Sequence, residues 1–280
     1  MTIKDVLLPL VGEPSAAAIA AIDKCVAVSG DFDARITALA IEENIPVRPK
    51  VMISSDLDNA TATEAVRSVT DAQGLLKAFD SAVTRFAVRN ERQLVRSEAA
   101  NAVLEIVVHA RLRDMSLVPV RRHDDRSEKL VEQLLFKSGR PILMCPAELA
   151  AELPVVFDNV LIAWDHSAPA ARAVADALPI LRSAETVRII TATDQRTTDE
   201  MRSGIALVDH LAEHDISAVF EAVQIEGSSI GKVIEAYVKK NAIGLLVMGA
   251  YRHTRLNEII WGGATKTVIG QPPCWVMMSR

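Results

Sequence analysis

Short apolar runs alternate with longer amphipathic segments along the whole chain. The first run spans Lys4–Val11 and is almost wholly apolar, as in strands that are buried on both faces of a parallel sheet. An Ala-rich stretch follows, in which Pro14 suits the first turn of a helix and Gly30 its end. This regular alternation predicts an α/β fold with parallel sheets.

Each half of the chain carries five strand signals. In the first half, the further strands are predicted at 34–41, 93–96, 114–120 and 141–146, and the further helices at 59–89, 99–111 and 129–137. In the second half, the strands are predicted at 159–164, 186–191, 218–224, 243–248 and 274–278, and the helices at 169–181, 197–214, 229–240 and 265–269.

The two halves repeat one another in sequence. KDVLL at the first strand corresponds to DNVLI at 158–162, DMSLV to AIGLLV at 242–247, and RPILM to PPCWV at 272–276. Such a duplication predicts two tandem, doubly wound, five-stranded parallel-sheet domains related by a pseudo-two-fold axis. We expect the domains to span 1–150 and 151–280, with the Ala/Glu-rich segment 147–157 as the linker.

Composition narrows the classes of function. The net charge is −5 and no run of Lys and Arg reaches five residues, so nucleic acid is not an expected partner. No apolar run is long enough to span a bilayer, and the N-terminus lacks the pattern of a signal peptide. The three cysteines have no CxxC spacing, which predicts no thiolate metal site and a reducing, cytoplasmic setting.

Ligands of doubly wound sheets bind outside the carboxyl ends of the strands, and two junctions of the second half are candidates. Asp165 follows the strand at 159–164, where its carboxylate could accept hydrogen bonds from a ribose or an adenine, or could cap the next helix. The other junction runs from Met248-Gly249 to Gly262-Gly263. Glycines there let backbone N–H groups approach an anion at a helix N-terminus, although they also suit a tight turn. Cationic side chains near this junction come from Arg252, Arg255 and Lys266.

The run MGAYRHTRLNEIIWGGATKTVIGQPPCWVMM at 248–278 resembles the end of a universal stress protein domain, which carries G-x2-G-x9-G followed by Ser or Thr. LIAWDHS at 161–167 is similar to the first strand and Asp turn of that family, so the resemblance covers 158–280. It implies an adenine nucleotide alpha hydrolase-like fold and a site for ATP or another adenine nucleotide. The implied contacts to base and ribose are Ala163, Trp164, Asp165 and Met248. The implied contacts near the phosphates are Gly249, Arg252, Gly262, Gly263, Ala264 and Thr265.

The chain departs from the family pattern in both halves. Arg252 stands at the position of the second motif glycine, where it could obstruct the phosphates or bind them, and Gly263 replaces the Ser or Thr. In the first half, Val11-Gly12-Glu13 replaces the Asp turn, and the stretch Arg121–Ser127 contains no glycine. Side chains on every residue hinder close approach to a phosphate, so we expect the first domain to be degenerate and any nucleotide site to lie in the second.

Two other motifs have structural explanations. Gly227–Gly231 matches the G-x-S-x-G nucleophile elbow, but the acid and His that a triad needs do not follow in suitable positions. We expect Ser228 or Ser229 to cap a helix. His210–His214 matches the H-x-x-E-H zinc pattern without a third ligand downstream, so a solvated helix face is expected and no metal.

The sequence therefore predicts a stress-response binding or regulatory protein and not an enzyme. The alternatives are a nucleotide-free scaffold of the same family and a slow ATPase, since a fold does not settle function. The resemblance also implies that fifth strands pair, so that Ile142–Cys145 would face Trp275–Met278 within one chain as a pseudo-dimer. A further homodimer is left open.

Overall fold

One continuous ten-stranded sheet runs through both halves of the protein. The structure is a computed structural model that describes residues 2–43, 55–193, 198–250, 252–255, 258–261 and 263–280, with the backbone alone at 55–63, 65, 198, 200, 252–255 and 258–261. The first half provides β1 (Asp5–Leu10), β2 (Arg35–Glu43), β3 (Asn90–Ser97), β4 (Met115–Val120) and β5 (Ile142–Pro146). The second half provides β6 (Asn159–Ala163), β7 (Thr186–Thr193), β8 (Ala218–Gln224), β9 (Leu245–Gly249), a hairpin of β10 (Arg252–Arg255) and β11 (Glu258–Trp261), and β12 (Trp275–Ser279).

The order of the strands mirrors the repeat in the sequence. It reads β3-β2-β1-β4-β5-β12-β9-β6-β7-β8, and the strands within each half are all parallel. Each half is thus a doubly wound five-stranded sheet, which confirms the predicted fold class. The hairpin β10–β11 forms a separate two-stranded sheet, and the sequence analysis did not predict it.

Helices cover both faces of the sheet. They are α1 (Ala16–Asp31), α2 (Ser55–Phe86), α3 (Ala102–Ala110), α4 (Asp125–Lys137), α5 (Ala168–Leu181), α6 (Thr198–Ala212), α7 (Ile230–Lys240) and α8 (Gly263–Gly270). One apolar core lies between the sheet and α1, α2, α5 and α6, and a second lies between its other face and α3, α4, α7 and α8. Within the described ranges, no helix combines the length and the apolar character that crossing a membrane requires.

Helix caps correct two sequence predictions. Ser15 caps α1 by accepting from the N–H of Ala18, so Pro14 lies before the cap and not in the first turn. Asp124 caps α4, which begins at Asp125 and not at Lys129 as predicted, because the first turn is charged while its apolar positions start only later. The predicted linker begins with a 3-10 turn at Ala147–Leu149.

The two halves meet where β5 and β12 pair. This pairing is antiparallel, and it joins Met144 to Val276, Leu143 to Met277 and Ile142 to Met278. The predicted pairing of fifth strands within one chain is therefore present. Because both strands are buried along their length, the pairing covers two apolar edges that would otherwise be exposed.

Trp275 ties the segment that connects the halves to this junction. Its side chain is fully buried, and its Nε1–H donates to the carbonyl of Pro154 at 3.0 Å. Its ring meets the ring of Phe157 edge-on at 5.8 Å, and Phe157 in turn lies 6.2 Å from Phe32 of α1. Aromatic contacts and one hydrogen bond thus fix the connecting segment between the two domains.

Replacing this side chain tests the junction. We expect Trp275→Ala to lower the free energy of unfolding by about 3–5 kcal/mol, because it leaves a large cavity and an unpaired carbonyl. Val219→Ala, at a site on β8 that is 62% exposed, should change it by no more than about 0.5 kcal/mol. Urea unfolding followed by circular dichroism measures both, and equal effects would contradict the role given to Trp275.

Candidate functional site

A pocket of about 480 Å³ opens at the carboxyl ends of β6, β7 and β9, where the strand order reverses in the second half of the ten-stranded sheet. This is the edge at which doubly wound folds bind ligands. Its walls come from four parts of the second half: the turn after β6, the end of β7 with α6, the first half of α7, and the end of β9 with the start of α8. The lining residues are Ala163, Trp164, Asp165, His166, Ile190, Thr191, Ala192, Asp199, Ser203, Ile230, Ile234, Met248, Gly249, Gly263, Ala264 and Thr265.

Most of the residues that the sequence singled out lie together around this pocket. Those that line it are Ala163, Trp164, Asp165, Met248, Gly249, Gly263, Ala264 and Thr265. Gly262 lies outside the described residues, as does the side chain of Arg252, whose backbone belongs to β10. Segments more than eighty residues apart in sequence thus converge on one pocket, while a role for any of them in binding stays a prediction.

Asp165 stabilises the turn between β6 and α5. Its Oδ1 accepts from the backbone N–H of Ser167 at 3.0 Å, and Ser167 is the N-cap of α5, since its Oγ accepts from the N–H of Ala170. Between them, His166 has a φ of 61°, which few residues other than glycine adopt. The alternative that Asp165 caps α5 is therefore wrong, because Ser167 is the cap; Asp165 instead stabilises the turn before it. Its carboxylate also lines the pocket.

Trp164 forms a fixed wall of the pocket. Its Nε1–H donates to the Oγ of Ser203 on α6 at 2.8 Å. Its backbone N–H donates to Ile190, and its carbonyl accepts from the Oγ1 of Thr191, both at 2.8 Å. Bonds from both the backbone and the ring hold the indole in place, which leaves a flat apolar surface against which a planar ligand could stack.

The two motif glycines that the structure describes differ in the space around them. A Cβ at Gly249 would lie 2.4 Å from the backbone nitrogen of Ala170 and 2.6 Å from the carbonyl carbon of Pro169. Gly249 is therefore needed for β9 to pack against the first turn of α5. A Cβ at Gly263 would meet no atom of the described residues within 4 Å, so the space beside Gly263 is open on the side that they form.

The N-terminus of α8 provides the positive potential of the described part of the pocket. Gly263 and Ala264 begin this helix and line the pocket at the positive end of the helix dipole. Lys266 was expected near this site, but it lines a different groove, beside Asp125 and Glu128 of α4. An anionic group would therefore be held by backbone amides at this end of the pocket.

Sequence reasoning missed about half of the lining. The missed residues are Ile190, Thr191, Ala192, Asp199, Ser203, Ile230 and Ile234. The available signal was topological: β7 lies beside β6, so its last residues reach the same edge of the sheet as Asp165. Which residues of α6 and α7 reach the pocket depends on how each helix packs on the sheet near that edge. No local sequence pattern encodes this packing.

The corresponding region of the first half contains ion pairs. Gly12 has a φ of 92°, and the Glu13 carboxylate that follows lies 3.0 Å from Arg67 and 3.6 Å from Arg121. Arg67 belongs to α2, and Arg121 follows β4, the counterpart of β9. Charged side chains thus meet at the edge where the second half has its pocket, and the degeneracy of the first domain stays a prediction.

The residues considered for catalysis serve the fold. Ser229 caps α7 by accepting from the N–H of Lys232, as expected. The rings of His210 and His214 lie 5.0 Å apart, and Nδ1 of His214 is 3.4 Å from the guanidinium of Arg182. No group of three or more His, Cys, Asp or Glu suited to a metal occurs among the described residues.

All three cysteines are free and buried. Burial raises the pKa of Cys274 to about 12. Burial and a contact with the Cys25 thiol raise the pKa of Cys145 well above its ordinary value. Both thiols are therefore protonated at neutral pH and lack the thiolate character of a nucleophile.

Comparison with known proteins assigns a family to the second half of the chain. Residues 157–280 match the universal stress protein family. The second half of the chain therefore belongs to the universal stress protein family, as the resemblance implied. None of the curated proteins matches the chain.

Solved structures extend the likeness in fold to the whole chain. A universal stress protein from Archaeoglobus fulgidus DSM 4304 is similar over 99% of this chain and 98% of its own, with a TM-score of 0.68 and 18% identity. A functionally unknown protein from Pseudomonas aeruginosa PAO1 is similar over 99% of this chain and 92% of its own, with a TM-score of 0.60 and 14% identity. At these identities the likeness shows the fold, which is that of two repeats in one chain.

The two motif glycines give a paired stability prediction. Gly249→Ala should lower the free energy of unfolding by about 1–3 kcal/mol, because the added methyl meets backbone that cannot move aside. Gly263→Ala should cause no loss, since the space beside it is open and alanine favours a helix over glycine. Thermal and urea unfolding measure both, and a Gly249→Ala protein as stable as the wild type would contradict the close packing.

The cysteines give a reactivity prediction. At pH 8 and in the native state, none of the three should react with a thiol reagent such as DTNB within minutes, because each is buried and the pKa values of Cys145 and Cys274 are raised. In denaturant, all three should react at once. Rapid labelling of any native cysteine would show an accessible thiol.

Proposed function

We propose that this protein is a stress-response binding protein that takes up an adenine nucleotide in the pocket of its second domain. The observation that carries the proposal is the convergence of the Asp165 turn, the end of β9 and the N-terminus of α8 on one cavity of about 480 Å³. A cavity of this size suits a ligand the size of a nucleotide. Membership of the second half in the universal stress protein family supports the same conclusion.

The chemistry of the walls suggests how the nucleotide lies. Trp164, Ile190 and Ile234 are the apolar surfaces suited to a base. Asp165, on the adjacent turn, is placed to accept from the hydroxyls of a ribose. The phosphates would then lie at the start of α8, near Gly263 and Ala264, at the positive end of the helix dipole.

We propose a binding or regulatory role and not catalysis. The serine of the G-x-S-x-G motif is a helix cap, and the thiols are buried. The groups that the sequence offered for catalysis are thus engaged in the fold. Free, buried thiols also fit the reducing cytoplasm that the sequence predicts.

Gly263→Val tests the site without disturbing the fold. A Cβ at residue 263 meets no atom of the described residues, but a valine side chain would fill the space at the start of α8. We therefore expect the Kd for ATP to rise at least tenfold with the melting temperature unchanged. Ala236→Val, on the exposed face of α7, is the matched control and should bind like the wild type. Calorimetry measures the affinity, and quenching of Trp164 fluorescence, absent in Trp164→Phe, reports the pocket itself.

Each remaining outcome selects one alternative. No uptake of ATP, ADP or AMP by the wild-type protein would favour a nucleotide-free scaffold. Uptake that Gly263→Val leaves unchanged would place the nucleotide elsewhere. Phosphate release from ATP that the substitution abolishes would favour a slow ATPase over a binding protein.

A further inference from the structure

The strands that border the pocket set an order along its length. β9, β6 and β7 lie side by side in the sheet, and neighbouring strands are about 4.8 Å apart. Along the chain, α8 comes after β9 and its hairpin, the Asp165 turn comes after β6, and α6 comes after β7. The pocket therefore runs from the start of α8, past Asp165, to the end of β7 and the start of α6.

This order matches the order of the parts of a nucleotide. Phosphates at the start of α8 and a ribose at Asp165, as proposed above, leave the base at the end of the pocket furthest from α8. Ile190, Thr191 and Ala192 of β7 line that end. The base therefore lies beside the end of β7 and next to α6.

Asp199 lies at this end of the pocket. It belongs to the first turn of α6, which begins at Thr198, and it is one of the lining residues. Ser203 stands four residues later, and side chains with this spacing are neighbours on one face of a helix. The Oγ of Ser203 lies 2.8 Å from Nε1 of Trp164. The Asp199 carboxylate is consequently on the side of α6 that faces the indole surface suited to a base.

The chemistry of a carboxylate restricts which base it can contact. An ionised carboxylate accepts hydrogen bonds and donates none. It therefore suits a base edge that presents N–H donors and is repelled by one that presents a carbonyl oxygen. Adenine carries an amino group at position 6, where guanine carries a carbonyl oxygen. Asp199 is exposed, so a ligand in the pocket can reach its oxygens.

We propose that Asp199 selects adenine by accepting a hydrogen bond from the 6-amino group of the base. This inference rests on the proposed function, and it names the group of the ligand that the second domain recognises. Asp165 and Asp199 then have different tasks, because one carboxylate faces the ribose and the other faces the base.

A structural role for Asp199 predicts a different result. An acid in the first turn of a helix stabilises that helix through its dipole. This role gives Asp199 no influence on which base binds, since a distorted pocket weakens all nucleotides alike. The ratio of two affinities therefore separates recognition of the base from support of the fold.

The test compares AMP with purine riboside 5′-monophosphate, in which a hydrogen atom replaces the 6-amino group. The wild-type protein should bind AMP at least tenfold more tightly, because the analogue has no donor for the carboxylate. In Asp199→Ala, the two Kd values should agree within about twofold. Asp209→Ala removes an exposed acid further along α6, so it is the matched control and should keep the wild-type ratio. Calorimetry measures each Kd, and circular dichroism checks that both variants fold.

The outcomes separate this inference from the proposed function. A wild-type protein that binds neither ligand overturns both. Equal binding of the two ligands by the wild type, or an Asp199→Ala protein that keeps the preference for AMP, overturns the role of Asp199 and leaves the nucleotide site in place. GMP that binds the wild type as tightly as AMP does also overturns the role of Asp199.

AMP labelled with ¹⁵N at its amino group reports the contact directly. In the complex with the wild-type protein, the amino proton resonance should move downfield from its position in free AMP, as expected for a proton donated to a carboxylate. The shift should be lost in the complex with Asp199→Ala and kept with Asp209→Ala. The same shift in all three complexes would show that the amino group has another partner.

Discussion

Hydrogen bonds between β5 and β12 turn two sheets into one. Both strands are buried along their length, and each would be an apolar edge without the other, open to pairing with further chains. Their antiparallel pairing extends the sheet across the whole chain and brings Trp275 against the segment that connects the halves. The two cores on either face of the sheet are consequently continuous from one half to the other.

The candidate site depends on this frame through the strands beside the junction. β12 pairs with β9, and β9 ends at Gly249, which packs against the first turn of α5. The turn that holds Asp165 is therefore positioned by close backbone packing between β9 and α5, together with the hydrogen bonds of Asp165 and Ser167. A pocket built in this way is formed before any ligand arrives, which lowers the cost of ordering on binding.

Long apolar strands and their repetition made the fold predictable from the sequence, because strands buried on both faces leave an unmistakable run such as Leu7-Leu8. The site was predictable where a residue type signals its place, as with Asp165 after a strand or Gly249 at a strand end. It was not predictable where placement depends on tertiary packing: Ser203 and Ile234 line the pocket only because of how α6 and α7 lie on the sheet. Lys266 shows the opposite case. It was expected at the site because it is close in sequence, but successive residues of a helix point to different sides, and Lys266 lines another groove.

The antiparallel junction also determines where the carboxyl ends of the parallel strands lie in each half. The strands of one half run opposite to those of the other, so the edge with Glu13 and Arg121 faces one end of the molecule and the edge with Asp165 faces the other. Neither edge can contribute a residue to a ligand at the opposite end. A duplicated chain built this way can carry ion pairs at one end and a pocket at the other, and the two ends are free to acquire separate tasks.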